Sequence, residues 1–124
     1  MLDEGQRDEL AAQLHASLTA TRVRIATLEG ELTSIIEGAD TANIDDEHDP
    51  EGSTIAYERA LVIAMIDAAR SELQELEQAM DLVRLPDYGR CIECGEPIGV
   101  ERLRARPATT RCVGCAARSR SRAG

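Results

Sequence analysis

The sequence predicts a mostly α protein: a long antiparallel two-helix coiled-coil hairpin followed by a small four-cysteine zinc-finger module. Three observations carry this. Two long segments place apolar residues at alternating steps of three and four. Rings are nearly absent, with no Trp, no Phe and two Tyr in 124 residues. All four cysteines fall as two C-x-x-C pairs beyond both apolar segments. An interior of Leu, Ile, Val and Ala suits helix seams better than a sandwich or barrel. This length fits one domain, or an elongated element plus a small module that needs a cross-link or a metal.

The first seam reads Ala11, Leu14, Leu18, Thr21, Ile25, Leu28, Leu32 and Ile35, one narrow stripe of a helix with a single polar member at Thr21. Gly38, just past it, is a plausible C-terminal stop. The second reads Ile55, Arg59, Val62, Ile66, Ala69, Leu73, Leu76, Met80 and Val83, and Pro86 with Asp87 and Gly89 breaks the helix after it. Each seam corresponds to roughly 40 Å of helix at about 1.5 Å per residue. Neither stripe can be buried alone, and their similar lengths favour an antiparallel hairpin within one chain, hence a monomer. A parallel homodimer is the competing arrangement.

Between the seams, residues 37–54 form the predicted tip of a hairpin spanning 1–87. The segment holds Glu37, Asp40, Asp45, Asp46, Glu47, Asp49 and Glu51 and no basic residue. Asp49-Pro50 reads as a helix cap followed by a first-turn proline, and Ser53 or Thr54 offers a second cap for a helix starting near Ile55. A connection of this length exceeds the usual run of about 2–8 residues between helices, which marks it as functional or solvating. His48 sits among these acids, which favour its protonated form, and His15 adjoins the seam residue Leu14. Tyr57 and Tyr88 read as packing residues at the tip and at the start of the last module.

The net charge of -9 argues against a general nucleic-acid binder. The charge is split: residues 1–89 carry 20 acids and 6 arginines, and residues 90–124 carry 3 acids and 8 arginines. Every basic residue is Arg. The Met1-Leu2-Asp3-Glu4 start lacks the basic and apolar runs of a secretory signal, and no stretch is long enough to span a bilayer, so a cytoplasmic protein is expected. In that compartment thiols stay reduced and paired cysteines are read as metal ligands before disulfides. With two histidines, no Gly-rich phosphate loop and no nucleophile setting, an enzyme is not expected.

Cys91-x-x-Cys94 and Cys112-x-x-Cys115, separated by 17 residues, closely match a four-cysteine zinc pattern. Each pair can wrap a tight turn around one ion, with Gly95 and Gly114 supplying backbone freedom. Four thiolates close a tetrahedral site, so one structural Zn2+ is expected, without an open position for substrate. Residues 90–124 are too few for a stable core unless such an ion clips them. Zinc with four thiolates carries a net charge near minus two, which Arg90 and Arg111, each preceding a ligand, are placed to offset. Residues 116–124 read as a flexible or weakly helical basic tail.

The stretch Tyr88-Gly89-Arg90-Cys91-Ile92-Glu93-Cys94-Gly95-Glu96-Pro97-Ile98-Gly99, followed by Glu101 to Pro107 and then Cys112-Val113-Gly114-Cys115, resembles the C4-type zinc finger of the DksA/TraR family. The hairpin ahead of it agrees in length and order with the longer members of that family. The resemblance implies a bacterial transcription regulator that binds RNA polymerase directly, inserts its hairpin into the secondary channel, and holds acidic tip residues near the catalytic centre without reading a DNA sequence. The corresponding tip residues here are Asp45, Asp46, Asp49 and Glu51. Some members respond to guanosine tetraphosphate, an expectation that the absence of Lys deprives of one common phosphate ligand. The family tip carries two aspartates separated by two residues with an alanine two further on. Asp46 and Asp49 keep the spacing, but Glu51 stands in place of the alanine; aligned instead through Asp49-Pro50, the second acid becomes Gly52 and the alanine Thr54. Two alternatives stand beside the resemblance. One is a zinc ribbon that binds nucleic-acid phosphates through Arg102, Arg104, Arg106, Arg111, Arg118, Arg120 and Arg122; the other is a coiled-coil adaptor for another protein.

Overall fold

A computed structural model of the chain describes residues 2–42 and 50–123, with side-chain surroundings for 2–38 and 52–120. Among the described residues four helices follow in order: α1 Glu4–Ala42, α2 Pro50–Leu82, α3 Val100–Ala105 and α4 Val113–Ala123. Among the described residues the sole β pairing is an isolated antiparallel bridge between Arg90 and Pro97.

α1 opens with a reciprocal cap. The Gln6 amide donates to Asp3 Oδ1 at 2.7 Å and the Asp3 amide donates to Gln6 Oε1 at 2.9 Å, so two backbone donors that a helix start leaves orphaned are satisfied by one side-chain pair. The helix runs through Gly38 to Ala42, past the stop its glycine suggested. Gly38 does not take the left-handed conformation; the glycines with positive φ are Gly89, Gly95 and Gly99. A glycine inside a helix costs only about 1 kcal/mol relative to Ala, a penalty a helix of 39 residues can absorb. α2 begins at Pro50, with the ring in the first turn where a missing N–H is harmless, and not near Ile55. α1 and α2 thus reach into the segment 37–54 read as a loop from composition, one to Ala42 and the other from Pro50, and residues 43–49 lie outside the described residues.

The fold divides into two compact units, one of residues 20–73 and one joining 1–19 to 74–124. The expected division at residue 87 follows chain order, whereas these units cut across α1 and α2 and group the cysteine-bearing segment with the helix ends beside it.

In the 20–73 unit, Leu28, Val62 and Ile66 form a buried cluster against which Leu32 and Ile35 pack. Arg24 pairs with Glu72, and Arg70 pairs with Glu29 at 2.8 Å, so numbers rise along α1 as they fall along α2: the two helices of this seam are antiparallel and belong to one chain. Thr21 is buried within the stripe, while Arg59, in a seam position, is exposed. Tyr57 is 71% exposed, which corrects the expectation that it packs.

In the other unit Leu10, Leu14, Leu76, Ala79 and Val83 are buried, and Asp8 pairs with Arg84, the same antiparallel sense. Arg7 closes the C-terminal end of α2. Its Nη1 donates to the Val83 and Leu85 carbonyls at 2.9 and 2.8 Å, tying down the turn that follows Leu82. Pro86 and Tyr88 then lead away from the helix toward the first cysteine pair.

Candidate metal centre

The segment after α2 is held by backbone geometry before any ligand is considered. Gly89, at φ 93, turns the chain; a Cβ there would stand 3.1 Å from Leu2 Cδ1, so both the conformation and the close approach call for glycine. The Gly89 carbonyl accepts from the Ile98 amide at 2.7 Å, and the Cys91 amide donates to the Glu96 carbonyl at 2.9 Å. These bonds fold residues 89–98 back on themselves around Cys91 and Cys94. Gly95, at φ 76, completes that turn, and its amide donates to the Cys91 carbonyl at 2.9 Å.

A small core lies beneath. Leu103 of α3, Ile98 and Tyr88 are buried, and the Tyr88 hydroxyl donates to the Pro107 carbonyl at 2.9 Å. Burial pushes the Tyr88 phenol up, which keeps it protonated as the donor this buried bond requires.

The second cysteine pair lies at the start of α4. The Cys112 carbonyl accepts from the Ala116 amide at 2.9 Å, and Cys112 Sγ lies 3.4 Å from the Cys115 amide, within reach as its acceptor. A sulfur thus occupies the capping role that Ser or Asp takes elsewhere, and a helix N-terminus favours that sulfur as a thiolate. Gly114 lies inside α4 and does not adopt positive φ, so the turn at this pair is made by the helix start and not, as its glycine suggested, by unusual backbone freedom.

Three contacts bring the two pairs together. The Ile92 amide donates to the Thr110 carbonyl at 2.9 Å, Arg111 Nε pairs with Glu93 Oε1 at 2.9 Å, and Arg102 Nε donates to the Arg111 carbonyl at 3.0 Å. As a result the sulfur atoms of Cys91, Cys94, Cys112 and Cys115 all lie within 4.8 Å of one another, with Cys94 and Cys112 3.9 Å apart. A tetrahedral zinc site with Zn–S of about 2.3 Å places its sulfurs about 3.8 Å apart, so the arrangement fits one zinc ion. Four soft donors in a closed tetrahedron leave no position for a reacting water, and the ion they suit is structural.

The sulfurs are not equivalent. Backbone hydrogen bonds involving Cys112 and Cys94 hold the Cys91 thiol down at about 6, against an ordinary 9.0. Burial first, and then hydrogen bonds with the neighbouring sulfurs, push Cys115 up to about 12. A dication among the four supplies the charge that makes all of them thiolates together.

Several sequence expectations about the surroundings change. Arg111 faces the Glu93 carboxylate, and Arg90 Nη1 donates to the Gly95 carbonyl at 3.2 Å. Arg118 reaches a sulfur, its Nη2 lying 3.0 Å from Cys115 Sγ. The signal for it was the spacing of three between Cys115 and Arg118, which puts both on one face if residues 113–123 are helical; reading that stretch as a flexible or weakly helical tail hid it. The predicted tip residues Asp45, Asp46 and Asp49, with His48, lie outside the described residues, and Glu51 lies in α2 without described side-chain surroundings.

A helical hairpin that ends in a C4 zinc-finger module defines the class. The family description "Prokaryotic dksA/traR C4-type zinc finger" matches residues 86–120. The RNA polymerase-binding transcription factor DksA of Caulobacter vibrioides is 31% identical over 107 residues, which span 86% of this chain and 68% of that protein. Its namesake from Haemophilus influenzae is 29% identical over 73% of this chain and 55% of its own length. The solved structure of transcription factor DksA2 from Pseudomonas aeruginosa superposes with a TM-score of 0.79 at 26% identity, covering 97% of this chain and 87% of that one. The chain belongs to the DksA/TraR family, and one structural Zn2+ is its cofactor.

Proposed function

We propose that this protein is a bacterial transcription regulator that binds RNA polymerase directly, acts in the cytoplasm and catalyses no reaction of its own. The observation that carries this reading is the coincidence, in one chain, of the antiparallel hairpin and the C4 module with the similarity to polymerase-binding relatives over 86% of the chain. In this reading Cys91, Cys94, Cys112 and Cys115 are the four zinc ligands, residues 88–124 form the zinc module, and the hairpin of residues 1–87 enters the secondary channel with Asp45, Asp46, Asp49 and Glu51 near the catalytic centre. Carboxylates placed there would perturb bound magnesium, compete with a phosphate, or meet a basic wall. The chain acts as a monomer because its seam residues pair within one molecule. Guanosine tetraphosphate as a co-effector belongs to the same reading.

Binding of nucleic acid through the arginine-rich end is less well supported. Arg102, Arg104, Arg111 and Arg118 already bond to partners inside the fold, Arg104 to both Glu9 and Glu101, which removes them from a common phosphate-binding stripe. No sequence-specific DNA contact is expected.

The test is a purified promoter assay with the double variant Asp46→Asn/Asp49→Asn. Polymerase binding, zinc content and helix content are expected to persist while the change in transcript yield disappears. An unchanged effect on transcription would remove the tip from the mechanism.

A further inference from the structure

We infer that Arg118 is a positioning residue of the zinc centre: its guanidinium bonds the Cys115 sulfur, offsets the excess negative charge of the four thiolates, and thereby retards loss of the ion. The inference rests on the assignment of the four cysteines as zinc ligands.

Four observations carry it. Arg118 Nη2 lies 3.0 Å from Cys115 Sγ, one helical turn away along α4. Cys115 is 1% exposed, so a charge on its sulfur is poorly screened by water and gains more from a nearby cation than a charge on exposed Cys94 would. Two other arginines near the site bond elsewhere: Arg111 to Glu93, and Arg102 to the Arg111 carbonyl and Thr109. Finally, Gly114 precedes Cys115 directly, and a Cβ there would lie 3.7 Å from Arg118 Nη1, so the guanidinium passes over the backbone of the cysteine turn on its way to the sulfur.

The chemistry is that of an outer-shell donor. Zinc with four thiolates carries a net charge near minus two, and a hydrogen bond from a fixed cation draws electron density from the sulfur lone pairs toward the donor. A sulfur so engaged is a weaker base and a poorer nucleophile, and the bond also fixes its direction toward the metal. Loss of outer-shell partners typically changes metal affinity by about 10–100-fold. Arg suits the position better than Lys because its rigid fork directs one N–H at the sulfur while the rest of the group remains available to water.

The experiment uses the full-length, zinc-loaded protein and compares Arg118→Gln with Arg120→Gln, an exposed position on the same helix. Two quantities are read at one pH: the rate of zinc transfer to a chromophoric chelator, and the energy of the thiolate-to-metal charge-transfer band after cobalt replaces zinc. The expected result for Arg118→Gln is release faster by about tenfold and a band moved to lower energy, with both quantities unchanged in Arg120→Gln. Arg118→Lys should fall between Arg118→Gln and wild type on both. Equal release from the two glutamine variants overturns the inference. Faster release with an unmoved band also overturns it, because a role limited to helix stability would give that outcome. Should Arg118→Gln fail to hold metal, Arg118→Lys decides by the same two readouts. Zinc content of the wild-type protein separates the two layers: much less than one ion per chain defeats the ligand assignment, whereas one ion per chain with indifferent Arg118 variants defeats the positioning role alone.

Discussion

The helix seam of residues 20–73 and the cysteine-bearing segment that follows α2 reach order by different physics. The first is a seam. Its stability comes from apolar side chains such as Leu28, Val62 and Ile66 removed from water along two helices, and its ion pairs lie on the surface with side chains about half exposed. The cysteine-bearing segment has few large buried side chains, chiefly Leu103, Ile98 and Tyr88, and relies on backbone bonds that bring four sulfurs to one point. A seam distributes its stability over many small contributions, so it tolerates single changes. A clip concentrates stability in one ion, so it is expected to fail as a whole.

Removal of zinc is therefore the change of largest effect. A structural site contributes about 10–16 kcal/mol of apparent binding energy at neutral pH, which exceeds what the core beneath α3 can supply. Chelation under reducing conditions, or Cys115→Ser, should abolish the near-UV circular dichroism of Tyr88 while most far-UV helix signal from α1 and α2 persists. Helix signal that vanishes together with the zinc would erase the contrast between the seam and the cysteine-bearing segment.

Acid should act on the same unit. Cys91 is held at about 6 against an ordinary 9.0, so its thiolate favours the folded arrangement. That contribution is complete above the ordinary value and is lost as pH falls through about 6. Bound zinc pulls all four sulfurs further toward thiolate, so metal should be retained at neutrality and released as acid reprotonates them. Release beginning near pH 7, followed with a chromophoric chelator, would contradict this ordering.

In the seam, Leu28→Ala removes a side chain that is 5% exposed and should cost about 2–4 kcal/mol in urea unfolding while leaving zinc content at one per chain. The smallest effect is expected at the surface: Arg24→Ala, which breaks the pair with Glu72, should change stability by less than about 1 kcal/mol and lose even that at high salt. A large cost there would mean that the seam depends on its ion pairs more than on its apolar stripe.

Much of this contrast was legible in the amino-acid order. The step of three and four named Leu14, Leu18, Leu28, Val62, Ile66, Leu76 and Val83 as interior, and all are buried. Leu10 and Ala79 were missed because they flank the strict stripe, where period alone does not decide burial. The C-x-x-C spacing fixed which sulfurs converge, since two tight turns are local events. Helix ends were harder to read: Gly38 and Ser53 carry stop and start signals worth only about 1 kcal/mol each, and α1 runs past the one while α2 starts ahead of the other. Arg118 was hidden for a related reason, because its contact with Cys115 exists only once α4 has formed. The partners of Arg102, Arg104 and Arg111 depend on tertiary approach, so a basic stretch that looked available for phosphate is in large part internally bonded.

The central claim is tested most directly by mixing the zinc-loaded protein with bacterial RNA polymerase core enzyme in the absence of DNA and measuring association at equilibrium. One-to-one binding at micromolar concentration or tighter is predicted; no association at concentrations well above that range would contradict it.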